Sequence, residues 1–350
     1  MSGPLPGVRP ATPAGIDPDR LASWLAGHLP WPGPLGAVTL LAGGRSNLTY
    51  RVEWGDRPLV LRRPPLGHVL ATAHDMAREH RVLTALGPTP VPVPRTGGLC
   101  EDPGVLGAPF YVMELADGIA LRGDADLAPF GPRAAGRIAY ALVDTLATLH
   151  AVDAEACGLG GFGRPEGFMA RQVRRWRRQW DDSRTREVPG ADRLNDRLAA
   201  GCPPSVPGRL VHGDFKLDNV LLDSADPGRV TAVLDWEMAT LGDPLADLGM
   251  FCMYWDGFGG LDRSPVASPG ALPGWPRTAD LVRRYARHHG DGLEHLDWYV
   301  AFAFYKIAAI LEGIHCRAAA GLTVGDESAD VADAVPVLVE RGHAVLDGLR

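Results

Sequence analysis

The apolar pattern of the chain changes character at Gly118. Before it, residues 39–65 contain three β-rich apolar runs broken by Gly-Gly and Gly-Asp, which predicts a meander of antiparallel strands. A helix is expected over 71–86, where apolar residues recur near helical spacing, and a further strand over 108–115. After Gly118 the pattern is mainly helical, as in 131–153, whose apolar residues share one face. The expected fold class is therefore α+β, with a small antiparallel-sheet lobe followed by a larger, mainly helical lobe.

The length of the chain also favours two lobes, because 350 residues exceed the size at which one hydrophobic core usually stops growing. Residues 1–15 are rich in Pro and Gly and lack periodicity, so we expect a disordered tail there. Asp17 is placed to cap a helix over 18–28. The two lobes are then expected at 16–117 and 118–350.

Charge and cysteine spacing argue against several classes of protein. The formal net charge is −7 and strongly basic sequence is confined to 171–178, so we expect no nucleic-acid partner. We expect no membrane association either, since the longest apolar stretch, 298–314, is interrupted by Lys306 and Glu312. The cysteines are far apart and never form a CxxC pair, which argues against a disulfide framework or a zinc site. Without a basic-then-apolar leader, the expected location is cytoplasmic.

The segment LVHGDFKLDN, residues 210–219, concentrates polar side chains on a short piece of chain. Asp214 is followed five positions later by Asn219, and Asp235 comes at the end of the apolar run TAVLDW. Phosphoryl transfer needs a carboxylate to orient the acceptor hydroxyl, and oxygen ligands for the Mg²⁺ that bridges the phosphates. The pattern therefore predicts Asp214 as the base and Asn219 and Asp235 as the Mg²⁺ ligands.

HGDFKLDN followed by VLDWEMATLGDPLADL resembles the catalytic and metal-binding loops of the aminoglycoside phosphotransferase family, whose fold is similar to that of the protein kinases. The resemblance covers nearly the whole chain beyond the N-terminal tail. Its nucleotide lobe is matched by four further segments: GGRSNLTYRV, LVLRRPP, REHRVL and FYVMELADG. The nearest branch is the one related to kinase-like domains attached to some acyl-CoA dehydrogenases. The resemblance implies a bilobal protein-kinase-like fold and an enzyme that uses ATP and Mg²⁺.

The resemblance assigns a role to each polar residue of the segment. Asp214 matches the catalytic aspartate, Asn219 the amide metal ligand and Asp235 the metal-ligating aspartate. Lys216 matches the lysine that steadies the γ-phosphate. It is one of only two lysines among 35 lysines and arginines, which indicates that a compact ammonium is needed there.

Three neighbouring residues are assigned structural roles by the same resemblance. His212 would brace the loop through hydrogen bonds and transfer no proton. Asp243 and Asp247 would hold the metal loop and the start of the following helix, and Asp247 is a candidate acceptor for backbone amides of the loop.

In the first lobe, the resemblance places Arg62 where kinases have the strand lysine that grips the α- and β-phosphates, and Glu79 where its ion-pair partner lies. Arginine departs from the kinase pattern, but a guanidinium can make bidentate contacts with phosphate and carboxylate. Strand alternation puts only one of Arg62 and Arg63 in the interior, and Arg62 is favoured. The alternatives are that Arg63 points inward or that both are solvated.

The loop GGRSN, residues 43–47, is a second candidate for nucleotide binding. It would fold over the phosphates and offer backbone N–H groups, with Ser46 and Asn47 as additional donors. Gly-Gly between two strands is also ordinary hairpin sequence, so only the position of the loop supports this role.

The segment VMELADG, residues 112–118, is the expected hinge between the lobes. Met113 would line the adenine pocket, and backbone groups of Glu114 and Ala116 would bond the purine edge. A buried strand that leads into a turn is the alternative interpretation.

The acceptor is expected to be a small-molecule alcohol. Arg174, Arg175 and Arg178 would meet the phosphates of an anionic acceptor such as coenzyme A, or they would form a solvated face. The branch linked to acyl-CoA dehydrogenases suggests a hydroxyacyl-CoA or a hydroxy acid. The alternatives are an aminoglycoside or macrolide kinase, and a catalytically silent nucleotide-binding pseudokinase. The acidic residues near the expected acceptor side, such as Glu237, Asp256 and Glu312, are too scattered to predict a pocket for a polycation.

Overall fold

The computed structural model describes residues 13–41, 47–66, 75–261, 266–289, 292–320 and 330–349. The chain divides into two compact units, Met1–Asp117 and Gly118–Arg350. The first is built on an antiparallel sheet and the second is mainly helical, as the fold class predicted.

The N-terminal unit holds one five-stranded antiparallel sheet in the order β1-β2-β3-β5-β4. Its elements are α1 (Pro18–His28), β1 (Leu35–Leu40), β2 (Leu48–Trp54), β3 (Arg57–Arg63), α2 (Met76–Leu86), β4 (Thr96–Cys100), α3 (Pro103–Leu106) and β5 (Phe110–Glu114). The predicted cap is confirmed, because the Asp17 carboxylate accepts a hydrogen bond from the Arg20 N–H at 3.1 Å. The strand β4 was not predicted, since its Gly97 and Gly98 disfavour strands when the sequence is taken alone.

Helices cover both faces of this sheet. On one face, Leu59 and Leu61 of β3 belong to a buried cluster with Trp24 of α1. On the other face, α2 packs on β4 and β5, and the ring of His80 lies 6.0 Å from that of Tyr111. Side chains on both faces of β3 are therefore buried.

The C-terminal unit combines helices with two short antiparallel ribbons, β6 with β9 and β7 with β8. Its elements are α4 (Asp124–Leu127), α5 (Pro132–His150), α6 (Phe168–Ser183), α7 (Ala191–Ala200), β6 (Arg209–Val211), β7 (Val220–Leu222), β8 (Val230–Val233), β9 (Thr240–Gly242), α8 (Pro244–Asp256), α9 (Thr278–His289), α10 (Leu296–Ala319) and α11 (Ala334–Leu346). The ribbons present the two loops that the sequence marked as functional, since β6 precedes the first loop and β8 precedes the second.

The helix α10 forms the centre of this unit, where it packs against α6, α8 and α11. It is long and apolar enough to cross a membrane when judged by length and composition alone. Its apolar window is 78% buried inside the protein, which is the pattern of a core helix.

Candidate active site

The loop that follows β6 is held by a buried carboxylate on α8. Asp247 accepts hydrogen bonds from the backbone N–H of His212 at 2.6 Å and of Gly213 at 2.7 Å. Burial alone would raise the pKa of Asp247, but the hydrogen bond from His150 and the bond from the His212 amide hold this pKa below its usual value. Asp247 is therefore a fixed anion beneath the loop, and its predicted bonds to loop amides are confirmed.

His212 is fully buried and links the two loops of the site. Its Nε2 donates to the Leu234 carbonyl at 2.8 Å, and its Nδ1 accepts from the Asp214 N–H at 3.2 Å. Because a carbonyl can only accept, the ring proton lies on Nε2. Both ring nitrogens are thus engaged with backbone, in agreement with the predicted bracing role.

The Asp214 carboxylate is oriented by three side chains. Its Oδ1 accepts from the Tyr254 hydroxyl at 2.9 Å, and its Oδ2 lies 2.9 Å from Lys216 Nζ and 3.1 Å from Asn219 Nδ2. The Asp214 side chain nevertheless remains 20% exposed. An anion that is held in one orientation and still reachable from solvent can accept a proton from a bound hydroxyl.

Tyr254 is a residue of the site that sequence reasoning missed. It follows Asp247 by seven positions on α8, so two turns of helix place both side chains on the face that meets the loop. Burial, together with the nearby Asp214, raises the pKa of the Tyr254 phenol well above its usual value, which keeps it a hydrogen-bond donor.

Lys216 lies between carboxylates and above the ring of Tyr254, with Nζ 5.1 Å from the ring centroid. Burial lowers the pKa of Lys216, but Asp214, Asp218 and Asp235 outweigh this effect, so the pKa is raised and the side chain is charged. Its direct contact is with Asp214, and the contact with a γ-phosphate stays a prediction.

A small, mostly apolar pocket that is partly open to solvent adjoins Asp214. Its lining residues are Lys216, Leu217, Asp218, Phe251, Tyr254, Trp255, Val266, Ala267 and Pro269. Two of these residues, Lys216 and Tyr254, are among the three side chains that orient the Asp214 carboxylate. Asp218 is the only carboxylate of the lining, and burial raises its pKa to about 6 against the opposing effect of Lys216.

The two predicted metal ligands are brought together by the backbone. The Leu234 N–H donates to the Asn219 carbonyl at 2.8 Å, which places Asp235 one residue beyond this bond. Asp235 has φ 65°, the one positive φ outside glycine in the described part of the chain. This left-handed conformation costs about 1–2 kcal/mol in a residue other than glycine, and such strain concentrates at functional sites.

The donor atoms of these residues suit Mg²⁺. The amide nitrogen of Asn219 donates to the Asp214 carbonyl and carboxylate, both of which can only accept, so the amide oxygen is left for a cation. With the Asp235 carboxylate this gives an all-oxygen set, which Mg²⁺ prefers. No cluster of three His, Cys, Asp or Glu side chains that could hold a metal by itself is found among the described residues. Phosphate oxygens and water would supply the remaining ligands.

In the N-terminal unit, Arg62 and Glu79 form the ion pair that the sequence suggested. Arg62 Nη1 lies 2.8 Å from Glu79 Oε1, and the side chains are 11% and 1% exposed. The expectation that only one of the adjacent arginines is interior is wrong. Arg63 is also buried, on the opposite face, where it donates to the carbonyls of Gly15 and Leu106. The alternation of side chains along β3 places Arg62 and Arg63 on opposite faces of the sheet, but both faces are covered by other elements.

The other predicted nucleotide-binding residues lie at strand ends. Met113 is buried in β5, and Ala116 follows that strand and is half-buried. The Glu114 N–H already donates to the Arg95 carbonyl at 2.8 Å, so this N–H is not free for a purine. Asn47 directly precedes β2 and is buried.

Ser46 and most of the loop 43–47 lie outside the described residues. Their predicted contacts with phosphates therefore stay predictions.

The basic helix α6 contains arginines of two kinds. Arg177 lies within 4 Å of Asp181, Asp192 and Asp196, which neutralise it. Arg174, Arg175 and Arg178 are exposed.

The phosphotransferase enzyme family matches residues 37–292 of the chain. Among curated proteins, acyl-CoA dehydrogenase family member 10 of Mus musculus is 35% identical over 330 residues, which cover 91% of this chain and 30% of the mouse protein. Acyl-CoA dehydrogenase family member 11 of Gallus gallus is 34% identical over 317 residues, covering 88% of this chain and 40% of that protein. The chain thus spans less than half the length of these relatives.

Two solved structures are similar over nearly the full chain. A Ralstonia eutropha JMP134 protein, provisionally assigned as an aminoglycoside phosphotransferase, has 32% identity and a TM-score of 0.81, covering 95% of this chain and 99% of its own. Aminoglycoside phosphotransferase APH(4)-Ia, in complex with ADP and hygromycin B, has 17% identity and a TM-score of 0.62, covering 94% of this chain and 99% of its own. The second likeness shows the fold alone, and it confirms the predicted kinase-like architecture. Taken with the family match, these similarities establish that the chain belongs to the phosphotransferase enzyme family.

Proposed function

We propose that the chain is a small-molecule kinase that transfers the γ-phosphoryl group of ATP to an alcohol hydroxyl. The observation that carries this proposal is the Asp214 carboxylate, which three donors orient and which remains exposed. The pair Asn219 and Asp235, joined through the backbone bond to Leu234, supports Mg²⁺ as the metal.

The acceptor hydroxyl would bind at Asp214. Each carboxylate oxygen can accept about two hydrogen bonds, so Oδ1 keeps one position beside the bond from Tyr254. In the reaction the hydroxyl proton moves to Asp214, the hydroxyl oxygen bonds to the γ-phosphorus, and the bond from that phosphorus to the ADP oxygen breaks. Lys216 would hold the γ-phosphoryl oxygens from the side of Oδ2. Mg²⁺, when bound with ATP at Asn219 and Asp235, neutralises charge on the phosphates.

ATP as the donor is supported by the N-terminal unit and by the fold relatives. The ion pair between Arg62 and Glu79 presents a fixed guanidinium at the position where the resemblance expects a phosphate ligand. APH(4)-Ia structures contain ADP or AMP-PNP. A pseudokinase would have no chemical need for a base, a cation and two metal ligands that contact one another. The presence of this set therefore favours an active enzyme over a pseudokinase.

The pocket beside Asp214 favours an acceptor with an apolar group near its hydroxyl. The apolar side chains that line the pocket include Phe251, Trp255 and Val266. Asp218 is its one acidic lining residue. An aminoglycoside is a polycation and requires several carboxylates, so this pocket suits a neutral or anionic alcohol better. A hydroxyacyl-CoA or hydroxy acid fits, since the relatives carry acyl-CoA dehydrogenase names and Arg174 and Arg175 of α6 are exposed.

The test is ADP release with Mg²⁺ and ATP against a panel of hydroxyacyl-CoA thioesters, free hydroxy acids, aminoglycosides and macrolides. We expect release with the first two classes and none with the polycations. Release with aminoglycosides alone would replace the proposed acceptor class. Bound nucleotide without release for any acceptor would favour the nucleotide-binding module.

A further inference from the structure

The chain has only two lysines, and both reach the same loop. Lys216 lies on the loop itself. Lys306 lies on the central helix α10, and its Nζ donates a hydrogen bond to the Gly213 carbonyl at 2.9 Å. Gly213 immediately precedes Asp214, so Lys306 binds the peptide group that joins Gly213 to the proposed base.

The surroundings of Lys306 are unusual for a lysine. Its side chain is 6% exposed, and its Nζ lies 5.6 Å from the centroid of the Trp176 ring. Burial lowers the pKa of Lys306 below its usual value and outweighs the opposing effect of the Asp214 and Asp247 carboxylates. Lysine is rarely buried to this extent unless it is paired, so a structural or functional demand must offset the cost of removing it from water.

Both backbone polar groups of Gly213 are hydrogen-bonded to buried side chains. It has φ 86°, and a Cβ at this residue would lie 2.7 Å from the Met238 carbonyl, so no larger side chain could pack there. Its N–H is held by Asp247 and its carbonyl by Lys306. The two backbone polar groups of one residue are thus fixed by two buried side chains, a carboxylate and a lysine amine.

We propose that Lys306 is a positioning residue for phosphoryl transfer, which holds the 213–214 peptide and thereby the Asp214 carboxylate. Its catalytic consequence rests on the proposed function, whereas its effect on the loop does not. Lysine serves here and arginine does not, because a compact ammonium fits between the Trp176 ring and the Gly213 carbonyl, and a planar guanidinium is wider. This explains why a chain that otherwise uses arginine retains lysine at position 306.

The test compares Lys306→Met with Glu312→Gln. Methionine keeps the apolar stem and removes the amine and its hydrogen bond. Glu312 lies on the same helix, is fully buried and pairs with Arg186 at 3.2 Å, so its variant perturbs a buried charge away from the loop. Lys306→Arg is a third variant, which offers N–H donors in a group of a different shape.

Two readouts separate positioning from general stability. Hydrogen exchange of the peptide 210–219 should be about tenfold faster in Lys306→Met than in Glu312→Gln, because the loop loses a restraint only in the first. With the acceptor that gives the fastest ADP release, kcat should fall about 100-fold in Lys306→Met while KM for ATP stays unchanged, as expected for a misplaced catalytic group. Lys306→Arg should recover less than a tenth of the lost kcat.

Equal exchange in the two variants would overturn the proposal. An exchange difference with an unchanged kcat would overturn the catalytic part of it. If the wild-type chain shows no ADP release that depends on Asp214, the proposed function fails, and the exchange comparison still decides whether Lys306 positions the loop.

Discussion

The ion pair between Arg62 and Glu79 allows a quantitative test of the N-terminal unit. In Arg62→Met, the Glu79 carboxylate, which is 1% exposed, would lose a cation 2.8 Å away. Removing one partner of a buried pair typically costs about 3–5 kcal/mol, because the remaining charge is desolvated without compensation. With both side chains nearly inaccessible, we expect a loss of about 3 kcal/mol. Replacing both residues by Met should restore most of it, since neither member of the pair is then left as a buried charge without its partner.

The matched control is Arg51→Met on the neighbouring strand. Arg51 pairs with Glu53 at 2.6 Å, but these side chains are 42% and 38% exposed, and such surface pairs contribute about 0–1 kcal/mol. Native-state hydrogen exchange at the amides of β2 and β3 reports on this unit separately from the helical unit. A cost in Arg62→Met no larger than in Arg51→Met would refute the reasoning. Nucleotide affinity of the double variant then tests whether Arg62 binds phosphate, because its fold is restored without the guanidinium.

Two further predictions concern the loop. Tyr254→Phe removes one hydrogen bond to Asp214 and keeps the ring, so kcat should fall about tenfold with little change in the free energy of unfolding, as steady-state kinetics and urea titration would show. Asp247→Asn leaves one amide oxygen to replace two carboxylate oxygens that accept from His212 and Gly213, and should cost about 2 kcal/mol at neutral pH in a urea titration. Because the pKa of Asp247 is lowered in the folded protein, its contribution is present above the unfolded value of about 4 and is lost as pH falls below it. The wild type should lose more stability than Asp247→Asn between pH 5 and pH 2; parallel curves would contradict this.

Local sequence predicted those features that depend on neighbours along the chain. The cap at Asp17, the meander of β1 to β3 and the helix α5 follow from residue type and spacing within each element. The motif also placed the base, the cation and the amide on one loop, because Asp214, Lys216 and Asn219 are close in sequence.

The contacts that fix the loop could not be predicted in the same way, because they come from distant helices. Tyr254 on α8 and Lys306 on α10 each look like part of an apolar helix, and only the packing of these helices brings them to Asp214 and Gly213. The burial of Arg63 has a similar origin, since alternation predicts which face a residue occupies but not whether that face is covered.

The most direct test of the central claim is ADP release by Asp214→Asn beside the wild type and Asp223→Asn, with nucleotide affinity measured for all three. Asp223 directly follows β7, and its carboxylate binds the backbone N–H of Ala225 and the side chain of Arg229. We expect nucleotide affinity to be retained in each protein, and turnover to fall by about 10²–10⁴ in Asp214→Asn alone, which is the contribution of a general base. Turnover in Asp214→Asn equal to that of the wild type would contradict the assignment of Asp214 as the base.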